Sequence, residues 1–400
     1  MNFKFALPVL TAGAIGLTGL SATSFAADRE VKLAGFGAKS GVVRSFGVNT
    51  EAVMRAAVEA INKAGGVKLG DGSTGKLTMT FNDDRCNAEE GISVLRRIAS
   101  SGAVVAVGPT CSNVAEPLFG TLQKKVGDAG DSGIQMPIFT DTAIKGGLAK
   151  ISEWAFRNVP NESVMYKTMF KWLKDKHPDL KTVFGGVEED FAHSRFTWYK
   201  VMKTRSSEAG YKIAGEAKWL LADTNFATQV RAMKKAKPDI IALSAHPFTT
   251  CGVLKEMKRQ RVRPKLVVGL TSSSSLETLQ GCAKQAEGII IPTSFAPVTP
   301  DAKKAADAAA AKGGSADLHS AAAWEIVMVL KDVIEKQGVM AKPDTVKADR
   351  RKIRDGLAGL KETKGLLGKI KRDSEGEATK PYVYVHAKDG TWAVLHDPGT

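Results

Sequence analysis

The segment Thr110-Cys111-Ser112-Asn113 follows an apolar run that ends in Gly108-Pro109. This order predicts a buried strand, a tight turn and a helix that Ser112 and Asn113 could cap. Pro117 is expected within the first turn of that helix. The first N–H groups of a helix have no intrahelical partners and carry a partial positive charge. The segment could therefore bind a carboxylate or a phosphate, although both side chains could serve only as caps.

Two aromatic side chains, Phe46 and Phe191, lie in glycine-flanked loops. An aromatic ring in such a loop exposes apolar surface unless something covers it, so each ring could form the wall of a ligand site or pack locally. His246 precedes Pro247 at the end of a predicted strand, and it could line a pocket or be an ordinary loop histidine. These three rings are candidate ligand contacts.

The sequence contains no catalytic motif that we can assign. The patterns G-x-S-x-G, H-E-x-x-H and G-x-x-x-x-G-K-[ST] do not occur. The cluster most like a metal site is Glu188-Glu189-Asp190 with His193, but consecutive side chains diverge, so we predict a solvated helix start there. Gly35 to Gly41 approaches a dinucleotide fingerprint with its third glycine one residue late, and it alone supports a dinucleotide-dependent enzyme. We therefore predict a protein that is not an enzyme and needs no cofactor.

Composition places the chain among soluble globular proteins. It has 400 residues, of which 43% are apolar and 25% charged, enough for two domains. The net charge of +15 comes from 57 basic and 42 acidic residues, which are mixed on predicted helical faces. This mixing favours solvated faces over a nucleic-acid surface, and the charge could steer anionic small molecules.

Residues 1–26 have the pattern of an export signal. Lys4 precedes an apolar run from Phe5 to about Leu20, and Ser24-Phe25-Ala26 predicts cleavage near Ala26. The run is short for a membrane span, which needs about 20 residues. We expect an exported, soluble protein that does not bind nucleic acid.

Export changes the interpretation of the cysteines Cys86, Cys111, Cys251 and Cys282. In an oxidising compartment two disulfides are expected. Four cysteines allow three pairings, and the sequence alone does not choose among them.

Strands and helices alternate through two successive series, which predicts an α/β protein with two mostly parallel, doubly wound sheets. Asn87 with Glu90 predicts a capped helix, and the strand over 182–184 is expected to end at Gly185-Gly186. Ligands of such sheets bind beyond the carboxyl ends of the strands. The loops in that position are 35–46, 108–113, 140–142, 185–191, 244–249 and 270–275. The binding site is therefore predicted between two lobes.

These residues resemble the periplasmic leucine/isoleucine/valine-binding protein family, the type I solute-binding proteins of ABC transporters. The similarity covers nearly all of 31–395. Its sharpest parts are Ser40-Gly41-x-x-x-x-Gly47, Ala60-Ile61-Asn62-x-x-Gly65-Gly66, Asp83-Asp84-x-Cys86 and Cys111-Ser112.

The resemblance implies a type I periplasmic binding protein with two doubly wound parallel-sheet lobes joined by three hinge crossings. The crossings are expected near Arg157–Pro160, Thr293–Ala296 and Lys371–Ser374. The first lobe would comprise 27–158 plus 296–372, and the second 159–295 plus 373–400.

The resemblance also implies a Cys86–Cys111 disulfide beside the ligand loop, which leaves Cys251 to pair with Cys282. A ligand carboxylate would be held by Ser112 and the Thr140–Thr142 loop. The full predicted ligand-binding set is Phe46, Ser112, Asn113, Thr140, Asp141, Thr142, Phe191, His246 and Thr271.

The sequence departs from the family at Leu270-Thr271-Ser272. Amino-acid-binding members carry an acidic residue there to meet the ligand ammonium, and burying an ammonium without a partner costs several kcal/mol. We therefore expect a carboxylate without an α-amine, such as an aromatic or short aliphatic acid, unless Asp141 or Glu189 replaces the missing acid.

The function implied by the resemblance is that of a monomeric periplasmic protein that captures a small carboxylate for a membrane ABC permease. A branched-chain amino acid or an acid without an amine would fit this function. The alternative is a periplasmic sensory or regulatory protein on the same fold, which neighbouring genes would distinguish.

Overall fold

The computed structural model describes Met1 and residues 29–399. Apart from Met1, the predicted signal peptide lies outside the described residues. The strands are β1 (Arg29–Gly37), β2 (Val67–Lys68), β3 (Thr74–Asp83), β4 (Val105–Val107), β5 (Ile138–Thr140), β6 (Ala155–Arg157), β7 (Thr182–Glu188), β8 (Lys212–Trp219), β9 (Ile240–Ser244), β10 (Leu266–Gly269), β11 (Ile290–Thr293), β12 (Glu362–Lys364), β13 (Lys369–Arg372), β14 (Ala378–Thr379), β15 (Val383–Lys388) and β16 (Thr391–His396).

The helices alternate with these strands as the sequence predicts. They are α1 (Arg44–Lys63), α2 (Ala88–Ser100), α3 (Ser112–Phe119), α4 (Glu162–Lys176), α5 (Ala192–Phe196), α6 (Lys203–Glu208), α7 (Ala227–Ala236), α8 (Pro247–Arg259), α9 (Leu276–Ala286), α10 (Pro300–Ala310), α11 (Ser320–Lys336) and α12 (Val346–Ala358). A π-helical turn, Thr197–Met202, joins α5 to α6.

Two sheets form two lobes. The first sheet has the order β2-β3-β1-β4-β5-β6, and the second has the order β16-β15-β11-β10-β9-β7-β8. Neighbouring strands pair in parallel except at one edge of each sheet, where β2 and the β15–β16 hairpin are antiparallel. The predicted two-lobed α/β fold is confirmed.

Helices cover both faces of each sheet. In the first lobe, α1, α10, α11 and α12 pack on one face while α2 and α3 pack on the other. The buried strand β4 shows the reason, because Val105 and Val107 belong to one core and Ala106 to the opposite one. In the second lobe, α7, α8 and α9 face α4 and the π-helical turn across the sheet.

The chain passes between the sheets after β6, after β11 and before β15. The predicted crossings Arg157–Pro160 and Thr293–Ala296 lie at the ends of β6 and β11. The segment Lys371–Ser374 begins within β13, which forms a small antiparallel sheet with β12 and β14 before the chain reaches β15. The residue boundaries of the two lobes stay a prediction.

A buried polar network joins two of these passages. Lys380 Nζ donates to Glu325 Oε2 at 2.5 Å and to the Asn158 carbonyl at 3.2 Å. The Asn158 side chain donates to the same Glu325 oxygen at 2.8 Å and accepts from Arg372. The other oxygen of Glu325 accepts from Leu366 N at 2.8 Å. Glu325 on α11 is therefore tied to the passage after β6 and to the passage before β15.

The predicted end of β7 at Gly185-Gly186 is wrong, because the strand continues to Glu188. A Cβ at Gly185 would lie 2.2 Å from the Trp198 ring, and one at Gly186 would lie 2.6 Å from the Trp219 ring. The glycines therefore make room for two tryptophans inside a strand.

The glycines near the N-terminus also lie in a strand. Gly35 and Gly37 belong to β1, and α1 begins only at Arg44. The dinucleotide alternative loses its basis, because a phosphate-binding fingerprint requires these glycines in a turn at the start of a helix.

Candidate functional site

Five rings from both lobes lie together where the lobes meet, and we refer to them as the ring cluster. Phe46 and His319 belong to the first lobe, whereas Phe191, His193 and His246 belong to the second. The ring centroids are 4.4 Å apart for Phe46–His319 and 5.9 Å for Phe46–His246. They are 4.2 Å apart for Phe191–His246 and 5.6 Å for His193–His246. The structure thus brings together the three candidate rings of the sequence.

The turn before α3 is built around Gly108. Its φ of 123° suits glycine, and a Cβ there would lie 2.1 Å from the Phe36 carbonyl oxygen. The turn places Cys111 at the N-cap of α3, in extended conformation, and the disulfide to Cys86 holds it there. The free N–H groups of α3 therefore follow directly after a fixed residue.

The predicted caps of this helix are wrong. Ser112 and Asn113 are already helical, and neither side chain caps α3. Their side chains instead reach other segments, since Ser112 Oγ accepts from Lys145 N at 3.1 Å. Pro117 is the sixth helical residue rather than part of the first turn, and the helix ends two residues later.

Ser112 retains a proton that it can donate. The side chain is 1% exposed, and its oxygen accepts a bond while its O–H has no acceptor in the described residues. In the neighbouring loop, Thr140 Oγ1 donates to the Pro109 carbonyl at 2.7 Å, so its proton is used. Thr142 Oγ1 is buried and makes no hydrogen bond of ordinary geometry with a described residue, although it lies close enough to Asp141 to help lower the pKa of that carboxyl. Ser112 and Thr142 are therefore the hydroxyls available to a carboxylate.

Two buried carboxyl groups, Asp141 and Asp84, belong to the same two loops as Thr142 and Cys86. Burial raises the pKa of Asp141 to about 6, although the Thr50 hydroxyl at 2.7 Å opposes this shift. Burial, with the nearby Asp83 and Asp141, raises the pKa of Asp84 to about 7. Both carboxyl groups therefore bind protons more readily than an ordinary aspartate, which reduces the negative charge that an incoming carboxylate meets as the pH falls towards these values.

A carboxylate fixes His246. Its ring nitrogen Nδ1 lies 3.0 Å from both oxygens of Glu188, and its backbone N donates to Glu188 Oε2 at 2.7 Å. His246 is also the N-cap residue of α8. The ring is consequently held in one orientation towards Phe191 and Phe46.

His193 is fixed in the same way. Its Nε2 lies 2.9 Å from Glu162 Oε1, and its Nδ1 lies 3.2 Å from Ser272 Oγ. Thr271 also donates to Glu162, so its hydroxyl is used within the second lobe. Burial alone would raise the pKa of Glu162. The combined effect of His193 and two threonine hydroxyls is larger, so the pKa lies below its ordinary value.

The ring cluster includes two histidines that the sequence analysis missed. His193 was assigned to a solvated helix start, and that prediction is wrong because the residue is 3% exposed. His319 immediately precedes α11, in a segment that the alternation of strands and helices did not connect to the cleft loops. One pattern in the sequence could have indicated this position, namely the helix start Asp317-Leu318-His319-Ser320. In the structure Asp317 Oδ1 accepts from the N–H groups of His319 and Ser320.

A cavity of about 480 Å³ opens beside the ring cluster. Phe46 and His246 line it, together with Val42 and Val43 of the first lobe and residues of α8 and α9. This volume suits a small ligand. Ser112 and Thr142 do not line this cavity and are buried.

The Glu188-Glu189-Asp190 and His193 cluster does not converge. Glu188 meets His246, His193 meets Glu162, and Glu189 accepts from the Tyr199 hydroxyl at 3.0 Å. Within residues 29–399 we find no group of three or more acidic, histidine or cysteine side chains placed to hold a metal ion.

Comparison with known proteins identifies the family. The model of the family described as "Periplasmic binding protein" matches residues 30–391. The chain belongs to the periplasmic binding protein family. The resemblance inferred from the sequence is thereby confirmed.

Relatives of this periplasmic binding protein are named for, or were solved with, amino acids or an aromatic acid. It is 26% identical to the Leu/Ile/Val-binding protein BraC3 of Rhizobium johnstonii over 345 residues, 85% of this chain and 86% of that one. Its fold matches a branched-chain amino acid substrate-binding protein of Streptococcus pneumoniae solved with isoleucine, with a TM-score of 0.76, 20% identity and coverage of 92% and 98%. It also matches a solute-binding protein of R. palustris solved with 4-hydroxybenzoate, with a TM-score of 0.76, 16% identity and coverage of 92% and 96%.

Both expected disulfides of the periplasmic binding protein are formed. Cys86 bonds to Cys111 and Cys251 bonds to Cys282. No helix in residues 29–399 combines the length and apolarity that crossing a membrane requires.

The Asn113 side chain joins the lobes. Its Oδ1 accepts from Ala192 N at 2.6 Å, and its Nδ2 donates to the Asp190 carbonyl at 3.5 Å. The first bond satisfies an N–H at the start of α5 in the opposite lobe. Both bonds connect the two lobes, so a separation of the lobes would break them, and we expect Asn113 to favour the arrangement seen here.

We expect Asn113→Ala to weaken ligand binding by about 3- to 10-fold, because a hydrogen bond contributes about 1 kcal/mol net and closure is coupled to binding. Titration calorimetry with a binding carboxylate measures the change. The control is Asn225→Ala, which removes a bond to Ala227 N within one lobe. Equal affinities for the two variants would argue against a role of Asn113 in closure.

Proposed function

We propose that this periplasmic binding protein is the solute-binding component of an ABC importer. It captures a small carboxylate between its lobes and presents the closed form to a membrane permease, without making or breaking a covalent bond. The observation that carries this proposal is one juxtaposition at the seam between the lobes. The start of α3, which carries the available hydroxyl of Ser112, packs in one apolar cluster with the Phe46 and Phe191 rings and with Ala143, the residue after Thr142.

The proposed ligand carries no α-amine. In the loop after β10, Leu270 is buried and apolar, Thr271 donates to Glu162, and Ser272 contacts His193. Glu189 is engaged at the surface by Tyr199 and Arg195. Asp141 is the remaining acid of the predicted set, since its Oδ2 accepts from Thr50 but its Oδ1 makes no hydrogen bond of ordinary geometry among the described residues. Asp141 is thus the acid that could meet a ligand ammonium, and leucine, which carries one, is the ligand that best tests this part of the proposal.

The known relatives support both ligand classes. BraC3 is named for leucine, isoleucine and valine, whereas the R. palustris protein was solved with 4-hydroxybenzoate. At such low sequence identity, a shared fold does not determine which of the two ligand classes this chain binds. The absence of an acid at Leu270-Thr271-Ser272 favours the acid without an amine.

We further propose that the chain is exported and acts in the periplasm as a monomer. The signal-like residues 1–26 and the family support this location. The two disulfides agree with an oxidising compartment.

A thermal-shift screen tests the proposed function. The panel contains benzoate, the monohydroxybenzoates, isocaproate, 2-hydroxyisocaproate and leucine. A ligand at a hundred times its dissociation constant adds about 2.7 kcal/mol of stability, which produces a measurable shift. A panel without any shift would count against the proposed function.

We expect Ser112→Ala to weaken carboxylate binding by about 10- to 100-fold, because a hydrogen bond to a charged group contributes about 1.5–3 kcal/mol. The free energy of unfolding should change little. Titration calorimetry and urea unfolding measure the two effects.

The matched control is Ser206→Ala, which removes a buried hydroxyl from α6, away from the cleft. It should leave the affinity unchanged. If Ser112→Ala binds as tightly as Ser206→Ala, Ser112 does not hold the carboxylate.

A further inference from the structure

His319 is buried without a hydrogen-bond partner. It is 1% exposed, and neither Nδ1 nor Nε2 bonds to any residue that the structure describes. Buried polar groups of proteins are nearly always paired, and an unpaired one costs about 1–3 kcal/mol. The imidazole of His319 therefore lacks the hydrogen-bond partner that a buried polar group normally has.

The position of His319 is well defined. Its backbone N donates to Asp317 Oδ1 at 2.9 Å, and its ring packs 4.4 Å from Phe46. The preceding residue, Leu318, forms a small apolar cluster with Ile144 and Val159. Ile144 lies two residues after Thr142, so the segment that carries His319 is anchored next to the proposed carboxylate loop while its ring packs on Phe46.

His319 differs from the other two histidines of the ring cluster. His193 and His246 each have a glutamate partner in the second lobe. His319 has none, and burial together with the nearby His193 and His246 lowers its pKa well below the ordinary value. It is therefore a neutral imidazole in the described structure, with one N–H donor and one lone-pair acceptor.

We propose that His319 selects the ligand by hydrogen-bonding a hydroxyl group on it. The inference rests on the proposed function and narrows its ligand class to hydroxylated small carboxylates. A hydroxyl both donates and accepts, so it complements the ring nitrogen in either neutral tautomer. An ammonium complements only the lone pair, and a carboxylate only the N–H. The wall of Phe46 beside His319 leaves the carbon skeleton of the ligand in apolar surroundings.

Matched ligand pairs test this inference on the full chain. Benzoate is compared with its three monohydroxy isomers, and isocaproate with 2-hydroxyisocaproate, by titration calorimetry. At least one hydroxy acid should bind about 10- to 100-fold more tightly than its parent, because a site that hydrogen-bonds a hydroxyl disfavours the analogue that lacks it. Equal affinities within all four pairs would overturn the inference while leaving the proposed function intact.

Variants of His319 provide the second arm of the test. His319→Phe should bring the affinity ratio of hydroxy acid to parent acid close to one, without weakening the parent acid. His319→Gln, which keeps a donor and an acceptor, should retain part of the ratio and also serves if the Phe variant does not fold. His177→Phe removes an exposed histidine as the control. An unchanged ratio in His319→Phe would overturn the inference, whereas binding of no carboxylate by the natural chain would overturn the proposed function.

Discussion

A Lys380→Met variant should unfold with a free energy about 3–5 kcal/mol lower than that of the natural chain, because it leaves the Glu325 carboxylate buried without its cation. The side chains of Lys380 and Glu325 are each 3% exposed, so water does not replace the lost partner. Asn158 and Leu366 N still donate to Glu325, but neither carries a charge. Urea unfolding followed by circular dichroism measures the loss.

Two further variants make this prediction specific. Lys380→Met combined with Glu325→Gln removes both charges and should regain much of the lost stability. Lys331→Met removes the cation of an ion pair with Glu335 on the same helix, 2.8 Å long and partly exposed, and should cost less than about 1 kcal/mol. Equal losses for Lys380→Met and Lys331→Met would show that the buried network contributes no more than a surface pair.

Replacing Cys86 and Cys111 by serine should lower the free energy of unfolding by about 3 kcal/mol and also weaken ligand binding. The disulfide closes a loop with a sequence separation of 25, which constrains the unfolded chain. It also fixes Cys111 as the N-cap residue directly before Ser112. Releasing it lets the start of α3 move relative to the Thr142 loop. Urea unfolding and titration calorimetry measure the two effects.

The second disulfide is the natural control. Cys251 and Cys282 join α8 to α9 with a sequence separation of 31, so the stability loss on their removal should be similar. The carboxylate loop is in the other lobe, so removing this disulfide should weaken binding much less than removing Cys86–Cys111, although Cys251 lines the cavity beside the ring cluster. If both double-serine variants weaken binding equally, the Cys86–Cys111 disulfide does not act through the position of Ser112.

Local patterns predicted most of the fold. Alternating apolar strands and amphipathic helices depend on side-chain periodicity, which is visible in any single segment. The same holds for Asn87, which caps α2 through bonds from Glu89 N at 2.9 Å and Glu90 N at 3.1 Å, as predicted. The loops at the carboxyl ends of the strands follow from this alternation, and Phe191 and His246 lie where those loops enter a helix. Phe46 was also predicted in a loop, but it is the third residue of α1.

The errors arise where a distant segment decides the outcome. Ser112 was predicted as a cap, but its oxygen is taken by Lys145 N from another loop. The glycines of β7 were expected to end the strand, but the Trp198 and Trp219 rings require their small size. The small sheet of β12, β13 and β14 escaped prediction because its short strands are rich in lysine and lack a clear alternation.

The candidate site was only partly predictable from the sequence, because it also depends on contacts between distant segments. The type of a residue and its place after a strand identified the ring walls, but not whether each polar atom has a partner. Only the structure shows that His193 and His246 each meet a glutamate whereas His319 meets none among the described residues. Partners come from segments far apart in sequence, so the specificity of the site depends on tertiary contacts.

Titration calorimetry of the natural chain with amine-free carboxylates and with leucine tests the central claim most directly. The ring walls, the available hydroxyls of Ser112 and Thr142, and the loop at Leu270-Thr271-Ser272 predict saturable one-to-one binding of a carboxylate without an α-amine. Leucine should bind more weakly. Tight leucine binding with no response to benzoate, isocaproate or their hydroxy derivatives would contradict the account.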